Sequence, residues 1–208
     1  MRLDAAALRT HEPLLAQLER ARALGFLGPG PVAEHIDHAA GFLDALADVE
    51  GTVVDLGSGG GVPGLIIGVA RPDLHLVLLD ATAKRCRFLD TAVTALALRA
   101  TVLEGRAEAV GRSAWRGTAD AVVARAFGGP AGTAECAAPL LRLAGVLLVS
   151  EPPEPTADRW LAQPLATLGL TIGHRTAKFP VVQALHQTWP CPSTFPRRDG
   201  LPKKRPLF

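Results

Sequence analysis

The stretch Val53-Val54-Asp55-Leu56-Gly57-Ser58-Gly59-Gly60-Gly61-Val62-Pro63-Gly64 governs the reading of the whole chain. An aliphatic run enters a turn whose glycines permit positive φ and close backbone approach, and a helix is predicted to follow. Gly59, Gly61 and Gly64 satisfy G-x-G-x-x-G, which on its own is a weak pattern that a structural turn also meets. Asp55 ahead of it sets the register Asp-x-Gly-x-Gly-x-Gly through Gly57, Gly59 and Gly61. That register is the S-adenosylmethionine form of the loop, which wraps an amino-acid tail and a ribose rather than a pyrophosphate.

From Gly51 onward, short aliphatic runs alternate with amphipathic stretches, as a parallel sheet covered by helices requires. Strands are predicted at Thr52–Leu56, His75–Leu79, Ala100–Leu103, Ala119–Ala124 and Gly145–Val149, with helices over Pro63–Ala70, Ala83–Ala97 and Ala131–Leu141. Glu151-Pro-Pro-Glu-Pro155 reads as a stiff connector, followed by a helix near Asp158–Leu168 and strands Leu170–His174 and Val182–Gln187. Two closing strands without an intervening helix form an antiparallel hairpin. The expected fold is α/β and Rossmann-like, a mostly parallel seven-stranded sheet with a terminal hairpin, in its methyltransferase rather than its dehydrogenase version. Before it, residues 4–24 carry Leu8, Leu15, Leu18 and Leu24 at helical spacing, and Pro31 opens a second helix to about Ala47. The expected organisation is a helical segment over 1–48, the main domain over 49–194 and a basic arm over 195–208.

The composition narrows the function classes. A formal charge of +2 on 208 residues does not by itself point to nucleic acid, so that case rests on where the cations sit. Cys86, Cys136 and Cys191 are odd in number and far apart, which suggests neither a disulfide framework nor a metal site. No apolar run reaches membrane length, and charges at Asp4, Arg9 and Glu12 stand where a signal peptide needs an apolar stretch. The expectation is a cytoplasmic monomer without metal.

Asp80 ends the second predicted strand, where an acid accepts hydrogen bonds from ribose hydroxyls; this fits NAD as well as S-adenosylmethionine. After the third strand, Glu104-Gly-Arg-Ala-Glu108 places Ala107 and Glu108 where such folds contact adenine, although a solvated acid at a helix start fits the same pattern. The chain has no tyrosine for a Tyr–Lys dehydrogenase pair, no Gly-Lys-Ser/Thr, and no room for a hydride-acceptor domain. These absences favour S-adenosylmethionine.

Three motifs together resemble the bacterial ribosomal RNA small subunit methyltransferase G family, also called glucose-inhibited division protein B. They are Asp55-Leu-Gly-Ser-Gly-Gly-Gly-Val-Pro-Gly64, Arg125-Ala-Phe127 after the fourth strand, and Phe195-Pro-Arg-Arg-Asp-Gly-Leu-Pro-Lys-Lys-Arg-Pro206. The resemblance spans roughly residues 34–208. It implies methyl transfer from S-adenosylmethionine to N7 of a guanine in 16S rRNA, with ribosomal RNA or the small subunit as partner. It also implies cofactor contacts at Gly57, Val62, Ala107 and Glu108, with Arg125 facing both cofactor and substrate, and a basic pair at Lys84 and Arg85. The chain resembles a divergent member: Glu34-His-Ile-Asp-His38 matches the family's segment in part, and no lysine follows the fifth strand.

The chemistry agrees with that target. Guanine N7 has a lone pair and no proton, so its methylation is an in-line displacement that needs positioning rather than a general base. An amino-nitrogen enzyme would want Asp/Asn-Pro-Pro-aromatic where Ala124-Arg-Ala-Phe127 stands. Arg125 is the expected catalytic residue, holding cofactor carboxylate, guanine or phosphate, with a structural ion pair as the alternative. Phe127 is a candidate for stacking on an extruded base, or a core residue. Arg197, Arg198, Lys203, Lys204 and Arg205 lie within nine residues opposed only by Asp199, an RNA-binding cluster or a solvated basic end. The prolines around them predict an extended arm on the domain surface. A small-molecule methyltransferase of the same fold, and a non-catalytic cofactor- or RNA-binding relative, fit the same sequence.

Overall fold

The computed structural model describes residues 2–28, 30–152, 159–176 and 180–208. Helices α1 (Ala5–Arg9), α2 (Glu12–Ala23) and α3 (Val32–Ala45) precede the sheet. The single helix expected over 4–24 is thus divided. The His11 side chain caps α2 by accepting the Leu14 N–H at 3.2 Å, and Pro13 stands in the first turn, where its missing N–H is harmless. The restart shifts the helical phase. Leu8, Leu14, Leu18 and Ala21 are buried, Leu15 is only partly so, and Leu24 is exposed.

The rest alternates: β1 (Thr52–Leu56), α4 (Gly64–Ala70), β2 (His75–Asp80), α5 (Ala83–Ala95), β3 (Ala100–Glu104), α6 (Ala107–Val110), β4 (Ala119–Ala124), α7 (Pro130–Ala137), β5 (Leu141–Ser150), α8 (Ala162–Thr167), β6 (Leu170–Arg175), β7 (Val182–Gln187) and α9 (Leu201–Lys204). The seven-stranded sheet has the order β3-β2-β1-β4-β5-β7-β6. β3, β2, β1, β4 and β5 run parallel, and β7 is antiparallel to both β5 and β6. This is the Rossmann-like architecture with a closing hairpin that the sequence predicts.

The main departures from expectation lie at three places, and other boundaries shift by one or two residues. Pro139 falls in a 3-10 turn, Ala138–Leu140, so α7 stops at Ala137 and β5 begins at Leu141 rather than Gly145. α8 is shorter than the helix expected near 158–168; residue 158 and the connector at 153–155 lie outside the described residues. The arm is not wholly extended, because Gly200 at φ 76° turns the chain and Pro202 sits in the first turn of α9.

Strand alternation divides the core into two layers. Val53, Leu76, Leu78, Ala121 and Val123 face α1 to α5 on one side. Val54, Leu56, Val77, Leu79, Val122 and Ala124 face α6 to α8 on the other, where Leu207 and Phe208 of the arm also pack. The chain leaves β1 toward β2 on one side and returns to β4 on the other. A crevice therefore opens beyond the carboxyl ends of β1 and β4, the usual ligand position in open α/β sheets.

Candidate cofactor site and substrate cavity

The glycine loop crosses this crevice with Gly57, Gly59 and Gly61 at φ 78°, 55° and 86°. A Cβ on Gly57 would come within 2.7 Å of the Phe127 ring, and one on Gly64 within 2.5 Å of the Asp55 carboxylate. The turn therefore needs glycine both for its backbone and for its neighbours. Asp55 is buried beneath the loop, where Oδ2 accepts the Gly64 N–H at 3.1 Å, and it lines none of the cavities described below. Burial pushes its carboxyl up to about 7. At the tip of β2, Asp80 accepts the Gly59 N–H at 2.9 Å and the Thr82 N–H at 2.8 Å, with the Arg85 guanidinium 3.6 Å away. Its carboxylate is thereby fixed beside the loop, where an acid meets ribose hydroxyls in this fold.

Three cavities converge here. One of about 430 Å³ begins at Ala81, just past Asp80, and runs between Ala107-Glu108 and Phe127–Pro130. A second, of about 250 Å³, lies over Gly57–Gly60 and Val62, bounded by His35 and Arg125. A third, of about 470 Å³, opens between Ala124–Gly128 and Val149–Pro152, with His38 and Arg159 on its wall. The tripeptide Arg125-Ala126-Phe127 separates them. Arg125 lines the second and third, Phe127 the first and third. Ala126 stands at φ 55°, a left-handed conformation that L-residues adopt only under constraint.

The first two cavities suit a nucleoside carrying an amino-acid tail. The first is lined by Ala81, which follows Asp80, and the second by Gly59, whose N–H donates to Asp80, so both border on the neighbours of that carboxylate. Arg125 Nη2 donates to His35 Nδ1 at 3.0 Å, which places the ring proton on Nε2; that atom is buried without a hydrogen-bond partner of good geometry. Burial and the nearby Arg125 charge lower His35 and hold His38 at about 4, so both rings are neutral.

Glu108 is buried, and Oε1 accepts the Gly200 N–H of the arm at 2.8 Å and an N–H of Arg106 at 3.1 Å. Burial alone would raise this carboxyl, but these donors outweigh it and hold it below the usual range. Of the cations assigned to RNA from the sequence, Arg198, Lys203, Lys204 and Arg205 are exposed. Arg197 is instead committed to Glu135, which is 0% exposed: Nε and Nη2 donate to its two oxygens at 2.8 and 2.6 Å. Lys84 and Arg85 lie over the Phe26 ring at 5.5 and 6.0 Å, close to the mouth of the second cavity.

Sequence reasoning missed five contributors. His35 and His38 lie in the segment that only partly matches the family, although a spacing of three puts both on one helix face. Glu135 is the one acid in the apolar helix Pro130–Ala137, a pattern that itself signals a buried pair. Arg112, which ion-pairs with Asp199 at 2.5 Å, and Arg116, which donates to the carbonyls of Cys191, Pro192 and Phe195, clasp the arm without any local motif. At the third cavity, Glu151 pairs with Arg159 at 2.9 Å and accepts the Trp160 indole N–H at 2.8 Å.

The described helices include none long and apolar enough to cross a membrane. Among solved structures, the antibiotic-resistance methyltransferase Kmr superposes with a TM-score of 0.53 at 16% identity, covering 71% of this chain and 91% of that one. A 16S rRNA (adenine(1408)-N(1))-methyltransferase from Catenulisporales acidiphilia gives 0.52 at 22% identity, covering 70% and 87%. The fold is that of class I S-adenosylmethionine-dependent methyltransferases. A curated relative from Moorella thermoacetica, ribosomal RNA small subunit methyltransferase G, is 36% identical over 74% of this chain and 69% of its own. Its counterpart from Rubrobacter xylanophilus is 32% identical over 96% and 82%. The family model described as rRNA small subunit methyltransferase G matches residues 32–154. The matched region includes α3, the glycine loop, Asp80, Glu108 and Arg125-Ala126-Phe127, and the chain belongs to the rRNA small subunit methyltransferase G family.

Proposed function

We propose that this chain methylates N7 of a guanine in 16S ribosomal RNA, as a cytoplasmic monomer that takes its methyl group from S-adenosylmethionine. One observation carries the choice of N7. Among the described residues on the wall of the third cavity, the groups able to accept a proton are unsuited to the task. His38 is held at about 4, far below the value a base at neutral pH requires. Glu151 is committed to Arg159 and Trp160. A reaction that removes no proton fits this wall, and attack by the N7 lone pair is such a reaction.

The bound sulfonium supplies an electrophilic methyl group and a neutral leaving group. The residues of the chain supply position. The Asp80 carboxylate holds the ribose, and Ala107-Glu108 border the base. Arg125 fixes the carboxylate of the amino-acid tail from its place between the second and third cavities, and His35 orients its guanidinium. Phe127 stacks on the guanine drawn into the third cavity, and the exposed cations of the arm engage phosphates. Exclusion of water and alignment of lone pair, methyl and sulfur provide the acceleration.

The test is transfer of a radiolabelled methyl group to small ribosomal subunits from cells lacking the gene, followed by digestion to nucleosides. The label is expected in 7-methylguanosine. Label in a methylated amino group or ring carbon, or none in rRNA, overturns the proposal.

A further inference from the structure

The arm over 195–208 was assigned to RNA from its charge, yet most of its contacts in the fold point inward. Arg197 grips buried Glu135 through three bonds, counting its own N–H at 2.9 Å. The Gly200 N–H is spent on Glu108, and Asp199 is held by Arg112. These anchors bring Pro202, Pro206 and Phe208 onto the wall of the cavity of about 430 Å³, facing Ala107-Glu108 and Phe127. Phe208 and Leu207 also join the apolar layer beneath it. A nucleoside whose ribose hydroxyls meet Asp80 has this cavity, lined from the next residue Ala81, beside it to receive its base.

We infer that the arm is a cofactor-binding element: Pro206 and Phe208 form the outer apolar wall against the nucleobase, and the Gly200–Glu108 bond holds the carboxylate at its edge. A flat heteroaromatic base gains from an apolar and aromatic enclosure through excluded water and ring contact. Lys204 and Arg205 of the same segment are exposed and line none of the three cavities, whereas Lys203 is exposed and also borders this one. This inference rests on the cofactor reading given above.

The experiment is calorimetric titration of the full chain with S-adenosylhomocysteine, comparing wild type, Phe208→Ala and Phe208→Leu. Phe208→Ala is expected to weaken binding about tenfold, which corresponds to about 1.4 kcal/mol. Phe208→Leu, which keeps an apolar wall, is expected to stay within about threefold of wild type, under 1 kcal/mol on the same scale. Hydrogen exchange of the wild-type amides in 197–205 is expected to slow when the ligand is added. A folded Phe208→Ala that binds as tightly as wild type overturns the inference; if that variant does not fold, unchanged exchange in wild type does so. Wild type that binds no ligand refutes the cofactor reading, and the inference with it, which is a separate result from equal binding by both proteins.

Discussion

Arg125 donates to Nδ1 of His35 across 3.0 Å, joining the loop after β4 to helix α3 at the point where the second and third cavities meet. A guanidinium cannot accept, so the ring's tautomer and the orientation of Arg125 are set together. Substituting Arg125 with Ala is expected to lower kcat/KM by about 100-fold or more while the far-ultraviolet spectrum stays unchanged. His35→Ala should produce a smaller loss, because the cation remains but is free to turn. Single-turnover transfer to small subunits checks both; wild-type rates in the Arg125 variant remove it from the mechanism.

The buried Asp55 carboxyl makes stability depend on pH. Its folded carboxyl titrates at about 7 against 3.8 when free, so the folded chain holds a proton that the unfolded chain has released between those values. Stability from this group is therefore lost as pH rises across that window and is flat above it. His35 and His38 act oppositely: both are lowered when folded, so their contribution is lost as pH falls below 6.5, for His38 down to about 4. Asp55→Asn keeps an acceptor for Gly64 and removes the buried acid. It should be more stable than wild type at pH 8, by up to about 4 kcal/mol, with the advantage shrinking toward pH 5. Thermal melts of the two proteins across pH decide this. A gain that does not depend on pH contradicts the assignment.

The arm separates structural from solvated cations. Arg197→Ala leaves a Glu135 carboxylate buried without its partner and should destabilise the chain by about 3 kcal/mol, whereas Arg198→Ala should change stability by less than about 0.5 kcal/mol. Urea unfolding distinguishes them. Equal effects from the two substitutions contradict the buried pair.

RNA affinity should respond in the reverse pattern. Changing Lys203, Lys204 and Arg205 to Ala is expected to leave stability near wild type. The slope of log affinity against log salt should fall by about 0.7–0.9 for each phosphate contact removed. Filter binding at several salt concentrations measures that slope, and an unchanged slope excludes these side chains as phosphate contacts.

Much of this was legible in the sequence because it is local. The glycine register, the acid at the end of β2 and the aliphatic runs each follow from chain geometry over a few residues, and β1, β4 and β7 fall where the runs predict them. The errors come from competition between signals. Leu15 fits the helical spacing from Leu8, but Pro13 restarts the helix and gives the buried place to Leu14. The five basic residues near the end look alike in sequence, yet one faces a buried acid 62 residues away. His35 meets Arg125 across 90 residues, a pairing no spacing rule reports.

Ala126 carries a wider consequence. Its left-handed backbone is a hinge pin on which neighbouring side chains are hung toward different compartments. A bulkier or β-branched replacement there would swing both at once. If these cavities take methyl donor and acceptor as proposed, the two cannot be retuned independently at this joint, and altered specificity would have to come from the outer walls.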